Sequence, residues 1–120
     1  MTDGTTREPA RDPQDLERLL ISRQWAGDLD GMVALFEPDA IIDSDEQLTR
    51  GRESIRALFS EITAMGRRFA SGAQRPAVIN GDLALTSTRL PDGTITTEVA
   101  RRQRDGTWLW VIDRFSVTWP

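Results

Sequence analysis

The spacing of the apolar residues changes once along the chain, at Gly66, and this change constrains the fold more than any other feature of the sequence. Before Gly66 the apolar residues recur at intervals of three and four, which is typical of amphipathic helices. After it they alternate with polar residues, which is typical of strands. We therefore predict three helices and then strands near residues 68–79, 82–90, 94–104 and 107–118. This order indicates an α+β fold, a curved antiparallel sheet with three helices on one face.

Capping residues predict where the helices begin and end. Asp12-Pro13 is typical of a helix start, and Gly27 is suited to the left-handed conformation that ends one. Asp28 is predicted to cap a second helix that continues through Phe36, because its apolar residues keep helical spacing up to that point. A short strand over 40–43 and a polar loop then precede a third helix, which Gly51 opens.

The first dozen residues differ in composition from the rest of the chain. They combine Thr, Gly, Pro and mixed charge with almost no apolar side chain, so we predict a disordered lead over 1–12 and a single domain over 13–120. No apolar run approaches the roughly 20 residues of a membrane span. The N-terminal residues lack the apolar segment of a secretory signal. We therefore expect a cytoplasmic protein with no membrane contact.

The absence of four residue types narrows the possible chemistry. The chain contains no Cys, His, Tyr or Lys, and all 15 of its basic residues are Arg. These absences exclude a thiol nucleophile, a Schiff-base lysine and the usual imidazole base. Carboxylates alone are a poor ligand set for transition metals, so we predict no metal site and no cofactor. Any acid–base catalysis depends on Asp or Glu with shifted pKa values.

The distribution of charge argues against nucleic acid as a partner. The net charge is −4 and the isoelectric point is about 4.8. Although the second half of the chain is richer in Arg, these residues are spread over several predicted strands without interleaved aromatics, so they form no continuous basic stripe. We predict no nucleic-acid binding.

The closing stretch, GTWLWVIDRFSVTWP, places one acid, Asp113, in an apolar run. Such an acid lies either on a solvated sheet face beside an Arg or in an apolar pocket that raises its pKa. Strict alternation predicts that Asp113 shares the inward face with Leu109, Val111, Phe115 and Val117. The other face would then carry Trp108, Trp110, Ile112 and Arg114.

Four further residues have two interpretations each. Glu98, on the preceding strand, is either the second carboxyl of a pair or the partner of Arg89 or Arg114 in a cross-strand ion pair. Thr86 and Thr88 are either hydrogen-bond donors to a ligand or residues that simply favour strands. Trp25 is either a wall of the core or pocket, or a stacking platform.

Three segments together resemble the nuclear transport factor 2-like superfamily, in its bacterial SnoaL-like or polyketide-cyclase-like branch. The segments are WAGDLDGMVALFEPDAIID, GRESIRALF and EVARRQRDGTWLWVIDRFSV, which occur in the order typical of that superfamily. The resemblance implies a cone-shaped α+β fold, a pocket between the sheet and the first helices, and a homodimer formed through the sheet. Members include ketosteroid isomerase, SnoaL-type cyclases, limonene epoxide hydrolase and non-catalytic binding domains, so the fold alone does not decide the activity.

The residues that this resemblance equates with the catalytic residues of ketosteroid isomerase do not match them. The base falls on Ser44, the oxyanion-hole Tyr near Leu20 and the protonated Asp near Ala100. Steroid isomerisation by that mechanism is therefore disfavoured. SnoaL-type cyclases, in which a single acid works in an apolar pocket, are the easier match.

The resemblance and the residues lead to two hypotheses. In the first, the protein carries out acid–base chemistry of the isomerase or cyclase type on a small apolar molecule that bears a carbonyl group, with Asp113 and Glu98 as catalytic residues. The candidate ligand-binding residues are Ser44, Thr86, Thr88, Arg102, Val111, Phe115 and Trp25. In the second, the same fold is a non-catalytic small-molecule-binding or dimerisation module.

Overall fold

The computed structural model describes residues 6–45 and 47–117, which form three helices and a seven-stranded sheet. The helices are α1 (Asp15–Trp25), α2 (Leu29–Val33) and α3 (Arg52–Ala64). The strands are β1 (Phe36–Asp43), β2 (Leu48–Arg50), β3 (Ala73–Gln74), β4 (Val78–Asn80), β5 (Leu83–Arg89), β6 (Ile95–Arg102) and β7 (Trp108–Arg114). None of the helices among these residues is long and apolar enough to cross a membrane.

The predicted α+β class, with three helices and a curved sheet, is confirmed, and one detail of the sheet differs. Its order is β2-β1-β7-β6-β5-β3, with β4 also pairing with β5, and its two ends do not meet. The sheet is mixed rather than wholly antiparallel because β1 and β7 run parallel. The last strand thus returns beside the first, which brings the two ends of the domain together in the middle of the sheet.

Two boundaries differ from those predicted by periodicity. Asp28 caps α2 as predicted, its carboxyl accepting from the Gly31 N–H, but α2 ends at Val33 and Phe36 begins β1. Phe36 pairs with Trp110 in the sheet, and it adopts this strand pairing instead of extending the helix. The loop predicted after residue 43 contains the short strand β2, which pairs antiparallel with β1.

Residues 6–12 of the predicted disordered lead contact the domain, whereas residues 1–5 lie outside the described residues. Ala10 is buried in the core and its carbonyl accepts from the Trp108 N–H at 2.8 Å. Arg7 forms an ion pair with Asp28 at 2.7 Å. The buried Arg23 donates to the Glu8 carbonyl at 2.5 Å. Composition does not reveal these single contacts, so the packed region begins before residue 13.

The core lies between the concave face of the sheet and the helices. α1 contributes Leu16, Leu19 and Leu20, and α3 contributes Ile55, Leu58, Phe59 and Ile62. Successive ring contacts, with centroids 5.0–6.1 Å apart, connect the sheet to the loop after α3 through Trp110, Phe36, Phe59, Phe69 and Phe115. Three of these rings, Phe69, Trp110 and Phe115, also line a cavity beside the core.

Candidate functional site

A cavity of about 750 Å³ lies between the concave face of the sheet, α1 and α3. Its walls combine apolar and polar side chains, and its helical side consists mainly of Leu20, Ile21, Leu58, Ile62 and Met65. The strands contribute Thr96, Glu98, Trp110 and Asp113, and Phe69 and Phe115 extend the aromatic wall. A volume in this range is ordinary for small-molecule sites.

A β-bulge at Val111 determines which residues of β7 face the cavity. Ile112 pairs with Val99 and Trp110 pairs with Ala100, so Val111 is an extra residue without a partner on β6. The extra residue reverses the alternation, and Trp110 and Asp113 both become inward and buried while Ile112 is exposed. The predicted inward position of Asp113 is therefore observed, but in the company of Trp108 and Trp110. Val111 does not line the cavity.

The bulge also aligns a row of buried side chains across the concave face. Across neighbouring strands, Thr86 pairs with Glu98, Glu98 with Asp113, Asp113 with Ile42, and Ile42 with Thr49. Side chains opposite each other on neighbouring strands lie within contact range. The two candidate catalytic acids are thus direct neighbours, on the face that the cavity uses.

Asp113 is 6% exposed, and its carboxyl forms no hydrogen bond with the described residues. Burial raises the pKa of its carboxyl well above the ordinary range, and the charges of Glu98 and Glu17 raise it further. The alternative of a surface acid paired with an Arg does not occur, because Arg114 pairs instead with Asp43 at 3.0 Å. Asp113 therefore favours its neutral, protonated form.

Glu98 is 9% exposed and is supported by hydroxyl groups. The Thr86 hydroxyl donates to Glu98 Oε1 at 2.7 Å. Burial raises the pKa of Glu98, while the hydroxyls of Thr96 and Thr86 lower it and so offset part of that effect. A donated hydrogen bond stabilises the carboxylate form, so Glu98 ionises more readily than Asp113 does.

A third acid, Glu17 on α1, lines the same cavity and is not among the residues predicted from sequence. Burial raises the pKa of Glu17, the Thr88 hydroxyl lowers it, and the charge of Glu98 raises it. The sequence feature that could have pointed to Glu17 is its position next to the buried Leu16, on the edge of the apolar face of α1. Glu17, Glu98 and Asp113, the acid cluster, take part in none of the ion pairs of the described residues.

Among the other predicted residues, Ser44 and Phe115 line the cavity. Thr86 and Thr88 are buried on the concave face and act on Glu98 and Glu17 through their hydroxyls, and neither lines the cavity wall. Their place in the site is therefore to support the acids, which is a different role from direct ligand contact.

Trp25 and Arg102 lie away from the cavity. The Trp25 ring is 65% exposed, and the Arg68 guanidinium carbon lies 5.0 Å from its centroid. Arg102 is exposed and binds Asp82 at 2.7 Å at the far end of β6. Trp25 ends a helix whose buried face is formed by other residues, and its exposed ring contacts Arg68. Arg102 pairs with Asp82 of the neighbouring turn, which holds its side chain away from the cavity.

The described residues contain no group of three or more Asp or Glu side chains, the only ligand types available, arranged to hold a metal ion. The acid cluster instead resembles a shared proton site. When like charges lie close together in an apolar region, they cannot all ionise, and protons remain in the cluster at pH values where an isolated acid has lost its own. Such a cluster contains a proton donor and a proton acceptor together.

Comparison of this fold with solved structures gives several matches of similar quality. A candidate ketosteroid isomerase from Parabacteroides distasonis has 22% identity, covers 89% of this chain and 86% of its own, and has a TM-score of 0.65. An NTF2-like protein of unknown function from Pseudomonas putida has 19% identity, coverage of 89% and 84%, and a TM-score of 0.60. A SnoaL-like protein of unknown function from Burkholderia thailandensis has 17% identity, coverage of 84% and 90%, and a TM-score of 0.56. The chain has the nuclear transport factor 2-like fold. No protein-family model and no curated protein matches its sequence.

Within this nuclear transport factor 2-like fold, the acids occupy positions other than those that the sequence resemblance equates with ketosteroid isomerase. Ser44 and Leu20 line the cavity but carry neither an acid nor a phenol, and Ala100 is buried. The buried acidic groups are contributed by Glu17, Glu98 and Asp113 instead, and Asp45, Glu61 and Asp92 also line the cavity.

The raised pKa of Asp113 makes stability depend on pH in a defined direction. Because the folded protein holds this proton more tightly than the unfolded chain, the associated stability is fully present below 3.8, the ordinary pKa of an aspartic acid, and is lost as pH rises through the folded pKa. A tenfold difference in proton affinity between the two states corresponds to about 1.4 kcal/mol. Asp113→Asn, which stays neutral, should therefore flatten the fall in stability that begins above pH 3.8.

Urea unfolding between about pH 3 and about pH 9 measures this effect. Wild type should lose stability relative to Asp113→Asn as pH increases. Asp39→Asn, at an exposed position on β1, is the matched control and should follow wild type. Parallel pH curves for wild type and Asp113→Asn would show that Asp113 ionises as easily in the folded chain as in the unfolded one.

Proposed function

We propose that this protein binds a small, largely apolar molecule bearing a carbonyl group and performs acid–base chemistry of the isomerase or cyclase type on it. The observation that carries the proposal is the adjacent pair Glu98 and Asp113, buried on neighbouring strands at the wall of the cavity. Acids with shifted pKa values in a cleft are typical of catalytic sites. The resemblance to SnoaL-like and ketosteroid-isomerase-like structures agrees with this chemistry.

The different surroundings of the two acids suggest their roles. Glu98 receives a hydrogen bond from Thr86, which favours the carboxylate, so Glu98 is the base. Asp113 has no such partner and is affected by the charges of both neighbours, so it keeps its proton and is the acid. Environments that separate the pKa values of two neighbouring acids assign these roles in general.

The proposed step balances without any further reagent. The Glu98 carboxylate removes a proton from the carbon next to the carbonyl group, and the C–H electron pair forms a carbon–carbon double bond. The carbonyl π electrons move to oxygen, which takes the proton of Asp113 and becomes an enol. On collapse of the enol, Asp113 recovers its proton and Glu98 returns the other proton to the same or a conjugated carbon.

Exchange of the α-protons of 2-tetralone in D₂O, followed by NMR, tests the proposal without knowledge of the natural substrate. Wild type should accelerate exchange, because the carboxyl proton that Glu98 gains from the substrate exchanges with solvent deuterium before it is returned to carbon. Glu98→Gln and Asp113→Asn should each reduce the acceleration about a hundredfold, as expected for loss of a general acid or base. Glu53→Gln, on the exposed side of α3, is the control and should exchange like wild type.

Two results would contradict the catalytic proposal. The first is exchange in the presence of wild type that is no faster than in buffer, and the second is equal exchange by wild type and both acid variants. Saturable binding of 2-tetralone without exchange would identify the protein as a non-catalytic binding module.

We also propose that the protein forms a homodimer through the outer face of the sheet. Successive cross-strand pairs align five aliphatic residues in one row, which we call the outer aliphatic row: Val78, Leu85, Val99, Ile112 and Ile41. Val78, Leu85 and Ile112 are 66%, 48% and 45% exposed. The ion pairs of Arg114 with Asp43 and of Arg101 with Glu37 lie beside the row, which gives it the apolar centre and polar rim typical of interfaces. A second copy is the complementary partner because a two-fold axis makes such a face match itself.

The double variant Leu85→Lys, Ile112→Lys places charges in the outer aliphatic row. We expect wild type to sediment as a dimer and the double variant as a monomer, because charge in the middle of an interface is costly to bury. Leu48→Lys, on an edge strand and 69% exposed, should remain dimeric. A wild-type monomer, or a double variant that sediments as a dimer, would contradict this interface.

A further inference from the structure

Glu17 lines two hollows of the protein. One is the main cavity, which Glu98 and Asp113 also line, and the other is a smaller cleft of about 320 Å³ between α1 and residues 71–74, the second cleft. Four residues that line only the second cleft are exposed, so the cleft opens to solvent: Arg18, Ser22, Ser71 and Gln74. Glu17 and Ile21 line both hollows, and of these two only Glu17 carries a group that exchanges protons.

Glu17 forms no ion pair within the part of the chain that the structure describes. Arg18, which is its neighbour in the chain and lines the second cleft, pairs instead with Glu8 at 2.6 Å and with Asp15 at 3.7 Å. A cation beside a carboxylate opposes protonation because it stabilises the charged form. Since no such pair forms, Glu17 is able to bind a proton as well as to release one.

Two threonine hydroxyls lie between Glu17 and Glu98. The Thr88 hydroxyl bonds to the Glu17 carboxyl, and the Thr96 hydroxyl bonds to the Glu98 carboxyl. Thr88 and Thr96 are paired across β5 and β6, so their side chains share the concave face within contact range. Gly72, in the wall of the second cleft, lies against Thr88, because a Cβ added at this glycine would come 2.8 Å from Thr88 Cγ2. The second cleft, the two hydroxyls and the two carboxyls are therefore contiguous.

We propose that Glu17 exchanges protons between Glu98 and solvent through the second cleft while a ligand occupies the main cavity. The inference rests on the proposed function, because the proton concerned is the one that Glu98 removes from the substrate. A ligand that contacts Glu98 covers it from the main cavity, whereas the second cleft reaches Glu17 from another side. In this role Glu17 acts through Glu98 and does not touch the substrate.

The relay conserves protons at every group. A hydroxyl oxygen accepts one hydrogen bond while its hydrogen, which rotates, is donated to another acceptor. The protonated Glu98 gives its proton to Thr96, whose own proton passes to Thr88. The proton of Thr88 passes to the Glu17 carboxylate, which then releases it to water in the second cleft. Each hydroxyl ends with one proton and Glu98 is again a carboxylate.

The test follows conversion of 3-cyclohexen-1-one into 2-cyclohexen-1-one in D₂O by NMR. Glu98 removes a proton from C2 and returns one to C4, so the isotope at C4 of the product shows whether the carboxyl exchanged with solvent in between. Early in the conversion, wild type should place mainly deuterium at C4. Glu17→Gln and Thr88→Val should each lower the ratio of deuterium to protium about tenfold, less than the loss of a group that acts on substrate itself, because the main cavity still admits water.

Glu61→Gln is the matched control. Glu61 is an exposed acid that lines the main cavity but not the second cleft, so its variant should give the isotope ratio of wild type. The ratio is a property of each turnover and does not depend on how much of a variant is folded. A merely structural role for Glu17 would therefore leave it unchanged.

Equal isotope ratios in wild type, Glu17→Gln and Thr88→Val would refute the relay and uphold catalysis. An equal fall of the ratio in Glu61→Gln would also refute the relay, since exchange would then depend on the opening of the main cavity. Mainly protium at C4 with wild type would show that Glu98 does not exchange during turnover, which again refutes the relay alone. Absence of conversion by wild type would refute catalysis and the relay together.

Discussion

The site depends on one irregularity of the sheet, the β-bulge at Val111. In a regular strand, Trp110 and Asp113 would point to opposite faces, since the side-chain period is two. The extra residue turns both towards the helices and places Ile112 on the outer face. The same bulge therefore brings the acid into the cavity and completes the outer aliphatic row. Bulges that redirect a side chain in this way are common next to functional sites.

The acid cluster costs stability, which agrees with the catalytic role that we propose for it. Burial without an ion pair disfavours the charged form of each acid, and the cluster has no Arg partner among the described residues. Hydroxyls from Thr86 and Thr88 offset part of this cost for Glu98 and Glu17, but Asp113 has no such support. The result is a gradient of proton affinity across three neighbouring side chains. A site of this kind can donate and accept protons above the pH range of isolated Asp and Glu side chains, although the chain contains no His.

The sequence predicts the layers of this fold but not its local irregularities. Helical spacing up to Gly66 and alternation after it predict the α+β class, and they place Glu98 and Asp113 on neighbouring strands, as observed. Alternation cannot reveal the bulge, because a single unpaired residue reverses every later side chain, so it assigns Val111 to the wrong face. Glu17 escapes prediction because it lies at the edge of the apolar face of α1, where an acid looks like a surface residue. Arg102 is held by Asp82 of the adjacent turn, a local ion pair that strand parity does not predict.

Proton donation in this cavity depends most directly on the protonation of Asp113, which side-chain ¹³C NMR of labelled Asp and Glu carboxyls measures during a pH titration. We expect the Asp113 signal to remain that of the acid while the exposed carboxyls ionise, and to change only at a higher pH than Glu98. Coupling should appear as an inflection in the Asp113 curve where Glu98 titrates. An Asp113 signal that follows the exposed acids through their ordinary range would contradict the proposed chemistry, because the cavity would then contain no proton donor.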